Sequence, residues 1–94
     1  MTIIKLKEYG GILTGREFGK TVLTALLEKH RPPFELDFEG VFSMGSSFGD
    51  EVLPPMAKLQ GNELQIRNAS KTVKACIEDI RVETNIKFTY NDIV

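Results

Sequence analysis

The sequence is short of the residues that most catalytic and metal-binding sites use. Its 94 residues include one cysteine and one histidine. A single cysteine cannot close an internal disulfide, and one cysteine with one histidine falls short of the four ligands of a usual structural zinc site. Neither sign of charge dominates: 12 Lys and Arg stand against 13 Asp and Glu, a formal net charge of −1. A protein that tracks the phosphates of a nucleic acid carries a basic stripe and an alkaline pI, so this balance argues against that class. No apolar run approaches the roughly 18 residues that a membrane span needs. Met1-Thr2-Ile3-Ile4-Lys5 makes a short apolar step, without the long hydrophobic stretch and cleavage site of a secretion signal. The expectation is a soluble cytoplasmic protein with no cofactor, no metal, no nucleic-acid partner and no membrane partner.

What is present reads as one small α/β domain over residues 1–94, since there is no internal repeat, linker or low-complexity stretch. A chain of this length buries only about 60–65% of its unfolded surface. Ile4 and Leu6 alternate with Lys5 and Lys7, as in a half-buried strand, and Gly10-Gly11 closes that segment. Thr14 is placed to cap a helix running to about His30, with Phe18, Val22, Ala25 and Leu26 on one face and Pro32-Pro33 as its stop. Phe34-Glu35-Leu36-Asp37-Phe38 is the clearest strand, with three apolar residues on one face and two acids on the other. A loop from Glu39 to Gly45 leads to a second helix capped by Ser46 or Ser47. Phe48, Val52, Met56 and Leu59 keep its period, while Pro54-Pro55 predicts a break near Leu53 and Gly61-Asn62 a stop.

Leu64 and Ile66 mark a third strand, and Asn68 or Ser70 caps a third helix with its seam at Val73, Cys76, Ile77 and Ile80. Ile86, Phe88 and Tyr90 alternate in a last strand. The order βαβαβαβ predicts a mostly parallel four-stranded sheet with right-handed crossovers. Parallel strands buried on both faces read as continuous apolar runs. These alternate, so the helices are expected mainly on one face, with the other left to solvent or to a partner, a second copy of the chain included.

Few constellations carry chemistry. Gly45-Ser46-Ser47-Phe48-Gly49 matches the G-x-S-x-G pattern of a hydrolase nucleophile elbow. That elbow follows its strand tightly, whereas several residues separate Phe38 from Ser47, and the base would have to be His30, which precedes the serine. The segment reads better as a helix N-terminus, where free N–H groups and the helix dipole favour a phosphate on serine. Asp50 and Glu51 are expected in the first turn, where they complement the dipole and oppose such a phosphate. Adjacent helical residues do not face each other, so they do not form an acid/base pair. Cys76 belongs to the apolar seam, and Asn68-Ala69-Ser70 serves as a cap rather than a glycosylation acceptor. Lys71 and Lys74 stand near the third helix start as candidate anion contacts.

Leu36-Asp37-Phe38-Glu39-Gly40-Val41, followed by Ser46-Ser47-Phe48-Gly49-Asp50-Glu51-Val52-Leu53, resembles the bacterial STAS-like domains of unknown function, distant relatives of anti-sigma factor antagonists. Asn68, Val73 and Ile77 match the later part of that pattern, and Arg16 matches the arginine of a Ser-Arg pair that opens the first helix. The resemblance spans nearly the whole chain and implies a small STAS-like fold and a non-enzymatic regulatory module. It implies a partner of the histidine-kinase-like ATPase type and phosphorylation of the serine at the second helix start, which by position is Ser46. Gly45 stands where the antagonists carry an aspartate.

Two functions are therefore expected. The first is a protein-interaction module that uses the loop from Val41 to Ser47 and the following helix face, with Ser46, Ser47, Phe48, Asp50 and Glu51 as its contact or switch surface and Phe48 alternatively in the core. The second is a module that binds a nucleotide or other small anion through helix N-termini and Lys71 or Lys74.

Overall fold

The computed structural model describes residues 1–91; the last three residues of the expected domain lie outside the described part. Strand β1 (Thr2–Lys5) is followed by a 3-10 turn (Leu6–Tyr9) that still buries Leu6. A two-residue strand β2 (Ile12–Leu13) precedes helix α1 (Arg16–Lys29). Strand β3 (Phe34–Asp37) follows the diproline stop, and a second two-residue strand, β4 (Ser43–Met44), leads into helix α2 (Ser46–Lys58). Strand β5 (Glu63–Arg67), helix α3 (Lys71–Thr84) and strand β6 (Lys87–Tyr90) complete the chain as described.

The expected four-stranded sheet is present and all-parallel, in the order β1-β3-β5-β6. Each crossover moves one strand in the same direction. Right-handed crossovers of that kind put all three helices on one face, and α2 packs against both α1 and α3. Strands β2 and β4 pair as a separate parallel ribbon, within stretches that the sequence left outside any strand. Two residues are too few for a period-2 pattern to register.

Two glycines set the helix packing. A Cβ at Gly19 would sit 2.9 Å from Cβ of Glu51 and 3.1 Å from the Phe48 carbonyl oxygen. A Cβ at Gly49 would lie 2.6 Å from Cδ1 of Ile80. Gly19 thus belongs to the buried face of α1 with Val22 and Leu26, and Phe18 moves to its margin, 38% exposed. Its ring still meets Phe48, with centroids 5.7 Å apart.

Helix α2 passes through Pro54 and Pro55 without the expected break. An interior proline costs about 3 kcal/mol. Burying Phe48, Val52, Leu53 and Met56, each worth about 1.5–3 kcal/mol, holds the helix together regardless. Thr14 does not cap α1; Gly15 occupies the N-cap position with φ +95, and no side chain bonds to the free N–H groups.

The helix-free face of the sheet differs in one respect from a simple polar surface. Glu35 and Asp37 point to it, yet they are only 4% and 7% exposed. Arg67 Nη2 reaches Glu35 at 3.1 Å, and Asn91 donates to both Glu35 Oε2 (2.9 Å) and Gln65 (2.6 Å). At the open end of the same face Lys87 meets Glu63 at 3.6 Å. These charges are partnered within the sheet.

Candidate functional site

In a parallel βαβ arrangement each helix starts at the carboxyl end of the strand before it. The starts of α1, α2 and α3 therefore gather at one end of the sheet, with the β2–β4 ribbon. Phe42 donates its N–H to the Gly11 carbonyl at 2.7 Å, and Ile12 lies across from Ser43 in the ribbon. Met44 and Leu13 turn inward and are buried, while Ile12 and Phe42 remain 66% and 74% exposed. Phe42 lies over Gly11, where a Cβ would come within 3.0 Å of the ring. The sequence marks Phe42 only as part of the loop from Val41 to Ser47 and does not mark Ile12, because an apolar residue in a two-residue strand carries no periodic signal.

A shallow, open pocket of about 470 Å³ lies beside Phe42, lined by Phe38, Val41, Phe42, Asn68, Ala69 and Ser70 together with Glu39 and Gly40. Its walls are the loop after β3 and the turn between β5 and α3. Asp37 joins them: one carboxylate oxygen accepts the Glu39 N–H at 2.9 Å and the Asn68 side-chain amide at 3.2 Å. Asn68 adopts φ +57, a conformation that asparagine tolerates better than most residues. Ser70 is the observed cap of α3, accepting from the Val73 N–H at 3.2 Å.

Ser46 is the first residue of α2 and is exposed, Ser47 is partly buried, and Gly45 holds the N-cap position without a side-chain bond. Neither serine is the cap that the sequence suggested; the helix begins one residue earlier than such a cap requires. Asp50 and Glu51 accordingly fall beyond the first turn, which carries no acid. The expected opposition to a phosphate at Ser46 is weakened by that shift. Glu51 instead joins Arg16 on α1 at 2.8 Å, whereas Asp50 is exposed. Phe48 takes its core alternative: it is fully buried beneath α1 and is no part of an exposed surface.

Strand β4 runs into α2 through Gly45 alone, so the strand-to-helix turn at Ser46 and Ser47 is tighter than the distance from Phe38 suggested. It still does not assemble an elbow with His30. His30 caps the far end of α1, 14 residues from its start, or about 20 Å of helix, while Ser47 stands at the start of α2.

The candidate anion contacts do not converge. Lys71 is exposed at the start of α3, and Lys74 lies 5.3 Å from the Tyr90 ring centroid in a cation–π contact. Neither lines the pocket. Cys76 is partly buried on the α3 seam. Burial pushes its thiol pKa up, and the charges of Asp79 and Asp50 add to that, so the reactive thiolate is disfavoured.

In open α/β sheets ligands bind in the crevice where the strand order reverses. The order β1-β3-β5-β6 has no reversal, which accounts for the shallowness of the pocket. No described helix is long and apolar enough to cross a membrane. Comparison of the chain with protein-family models, with curated proteins and with solved structures finds no match.

Proposed function

We propose that this chain is a non-enzymatic, cytoplasmic regulatory module that binds a protein partner through the carboxyl end of its sheet. The observation that carries the reading is the pair Ile12 and Phe42, 66% and 74% exposed on neighbouring hydrogen-bonded segments, Ile12 just before α1 and Phe42 just before Ser46 and α2. A large exposed aromatic beside a shallow pocket of mixed polar and apolar lining suits a protein contact, where a few buried aromatic anchors supply most of the binding energy. The partner class is the one implied by the STAS-like resemblance, a histidine-kinase-like ATPase or a related signalling protein. Ser46 is its phosphate acceptor: it is exposed at a helix N-terminus whose first turn carries no acid.

Affinity purification of the tagged chain from its host, with intact mass recorded on the same sample, tests the reading. An ATPase of that fold is expected to co-purify, and Phe42→Ala is expected to weaken its capture about tenfold or more. Ser46→Ala is expected to abolish kinase-dependent phosphate incorporation; unchanged incorporation puts the modified residue elsewhere. Full capture by Phe42→Ala removes Phe42 from the interface.

Binding of a nucleotide or small anion is the second reading, favoured by the pocket's position against the first turn of α3. Glu39 on the pocket rim and the engagement of Lys74 with Tyr90 weigh against it. A nucleotide at about 100 times its Kd stabilises a fold by ~2.7 kcal/mol. An unchanged melting temperature at millimolar nucleotide ends that reading.

A further inference from the structure

The two walls of the pocket come from loops that are 31 residues apart in sequence, measured from Asp37 to Asn68, and they meet on one atom. We infer that Asp37 is the positioning residue of this surface: its carboxylate locks the β3–β4 loop to the β5–α3 turn, so that the walls hold or loosen together. The inference rests on the proposed docking surface for its functional meaning, but the lock itself is a property of the free protein.

Three observations support it. Asp37 is 7% exposed although it faces the side of the sheet that carries no helix. The same Oδ1 accepts from the Glu39 N–H at 2.9 Å and from Asn68 Nδ2 at 3.2 Å, so each donor fixes the carboxylate that the other uses. The backbones are coupled at the same level: Phe38 donates to the Arg67 carbonyl at 2.9 Å, and Val41 donates to the Phe38 carbonyl at 2.9 Å. A loosened carboxylate therefore frees the chain that carries Val41 and Phe42 on one side and Ala69 and Ser70 on the other. Hydrogen bonds to charged groups are among the stronger ones, so losing one is expected to speed local opening by about tenfold.

Amide hydrogen exchange on the free protein tests the lock without any partner. Asn68→Gly keeps the positive φ that this position uses and deletes only the amide arm. It is expected to accelerate exchange at Glu39 and Val41 as well as at Val73, whose N–H the Ser70 hydroxyl accepts, by about tenfold. Asp37→Ala is expected to do the same to both loops, and Asp37→Asn, which keeps an acceptor oxygen, to do so less. Acceleration confined to Val73 in Asn68→Gly, with Glu39 and Val41 unchanged, overturns the inference, even if Asp37→Ala fails to fold. Because no partner enters the measurement, this outcome is separate from the loss or retention of capture by Phe42→Ala.

Discussion

The helix-free face of the sheet and the carboxyl end of its strands are both uncovered by helices, but the first is mainly polar and the second presents the larger exposed apolar side chains. The first is rich in charge, and its buried charges are partnered: Arg67 reaches Glu35, Asn91 ties Glu35 to Gln65, and at the rim Lys87 meets Glu63, while at the β1 edge Ile3 is 44% exposed beside Lys5. The second leaves two large apolar side chains, Ile12 and Phe42, in water. A neutralised polar face is stable against solvent and has little to gain from a partner. An apolar ridge gains by being covered. Single exposed apolar residues, such as Val82 on α3, are ordinary. What separates Ile12 and Phe42 is that they stand on neighbouring hydrogen-bonded segments, with Phe42 lining the pocket just ahead of α2.

The comparison breaks most readily at Glu35. Removing one partner from a buried ion pair costs about 3–5 kcal/mol when both charges are fully buried. Arg67 keeps 23% of its side chain in solvent, which lowers the expected cost of Glu35→Ala to about 2 kcal/mol. Arg67 Nε is already buried without a hydrogen-bond partner among the described residues, so little remains to take up its charge. Urea unfolding is the measurement. Glu35→Gln keeps an acceptor oxygen and is expected to lose less, while a loss below about 0.5 kcal/mol in the alanine variant would show that the face is not held by its own pairs.

Phe42→Ala is the matching experiment on the other region, and its expected effect on stability is smaller. A side chain 74% exposed contributes little burial, so the change in unfolding free energy is expected to stay within about 0.5 kcal/mol. The same substitution is the one expected to weaken partner capture. Stability and binding should therefore separate: Glu35 governs the first and Phe42 the second. A Phe42 variant that loses both places the ring in the fold rather than in an interface.

Much of the architecture was legible because it depends on local pattern. The alternation in Phe34–Phe38, the seam Val73, Ile77 and Ile80, and a cap at Asn68 or Ser70 each announce themselves within a few residues; the strand and the seam stand in the structure, and Ser70 is the cap. The one-sided placement of the helices was legible too, from polar residues alternating along strands that are parallel. What escaped depends on partners distant in sequence. Gly19 matters because Glu51 and Phe48 lie against it, and Phe18 yields its buried place for the same reason. Asp37 reads as a solvent-facing acid until Glu39 and Asn68 are both brought to its oxygen. Ile12 was invisible because β2 forms only by pairing with β4, whereas Phe42 lay within the loop from Val41 to Ser47 that the sequence offered as a contact surface. Pro54-Pro55 was overestimated, since the burial that opposes it comes from the neighbouring helices and the sheet.

The smallest expected effect sharpens the description of the open face. Lys87 and Glu63 are cross-strand neighbours in β6 and β5, with 72% and 51% of their side chains in solvent. Exposed pairs of this kind contribute about 0.2–1 kcal/mol, and salt screens them. Lys87→Ala is expected to cost no more than about 0.5 kcal/mol at low salt and nothing measurable near 1 M salt, where the screening length falls to about 3 Å. The contrast with Glu35, two positions away on the neighbouring rows of the same face, isolates burial as the cause, since both acids pair with a cation. A cost above about 1 kcal/mol at Lys87 that persists in salt would mean that the rows act as one network. Neutralisation of the face would then reach from Arg67 to its rim, and the polar surface would be a structural unit rather than one buried pair with a solvated fringe.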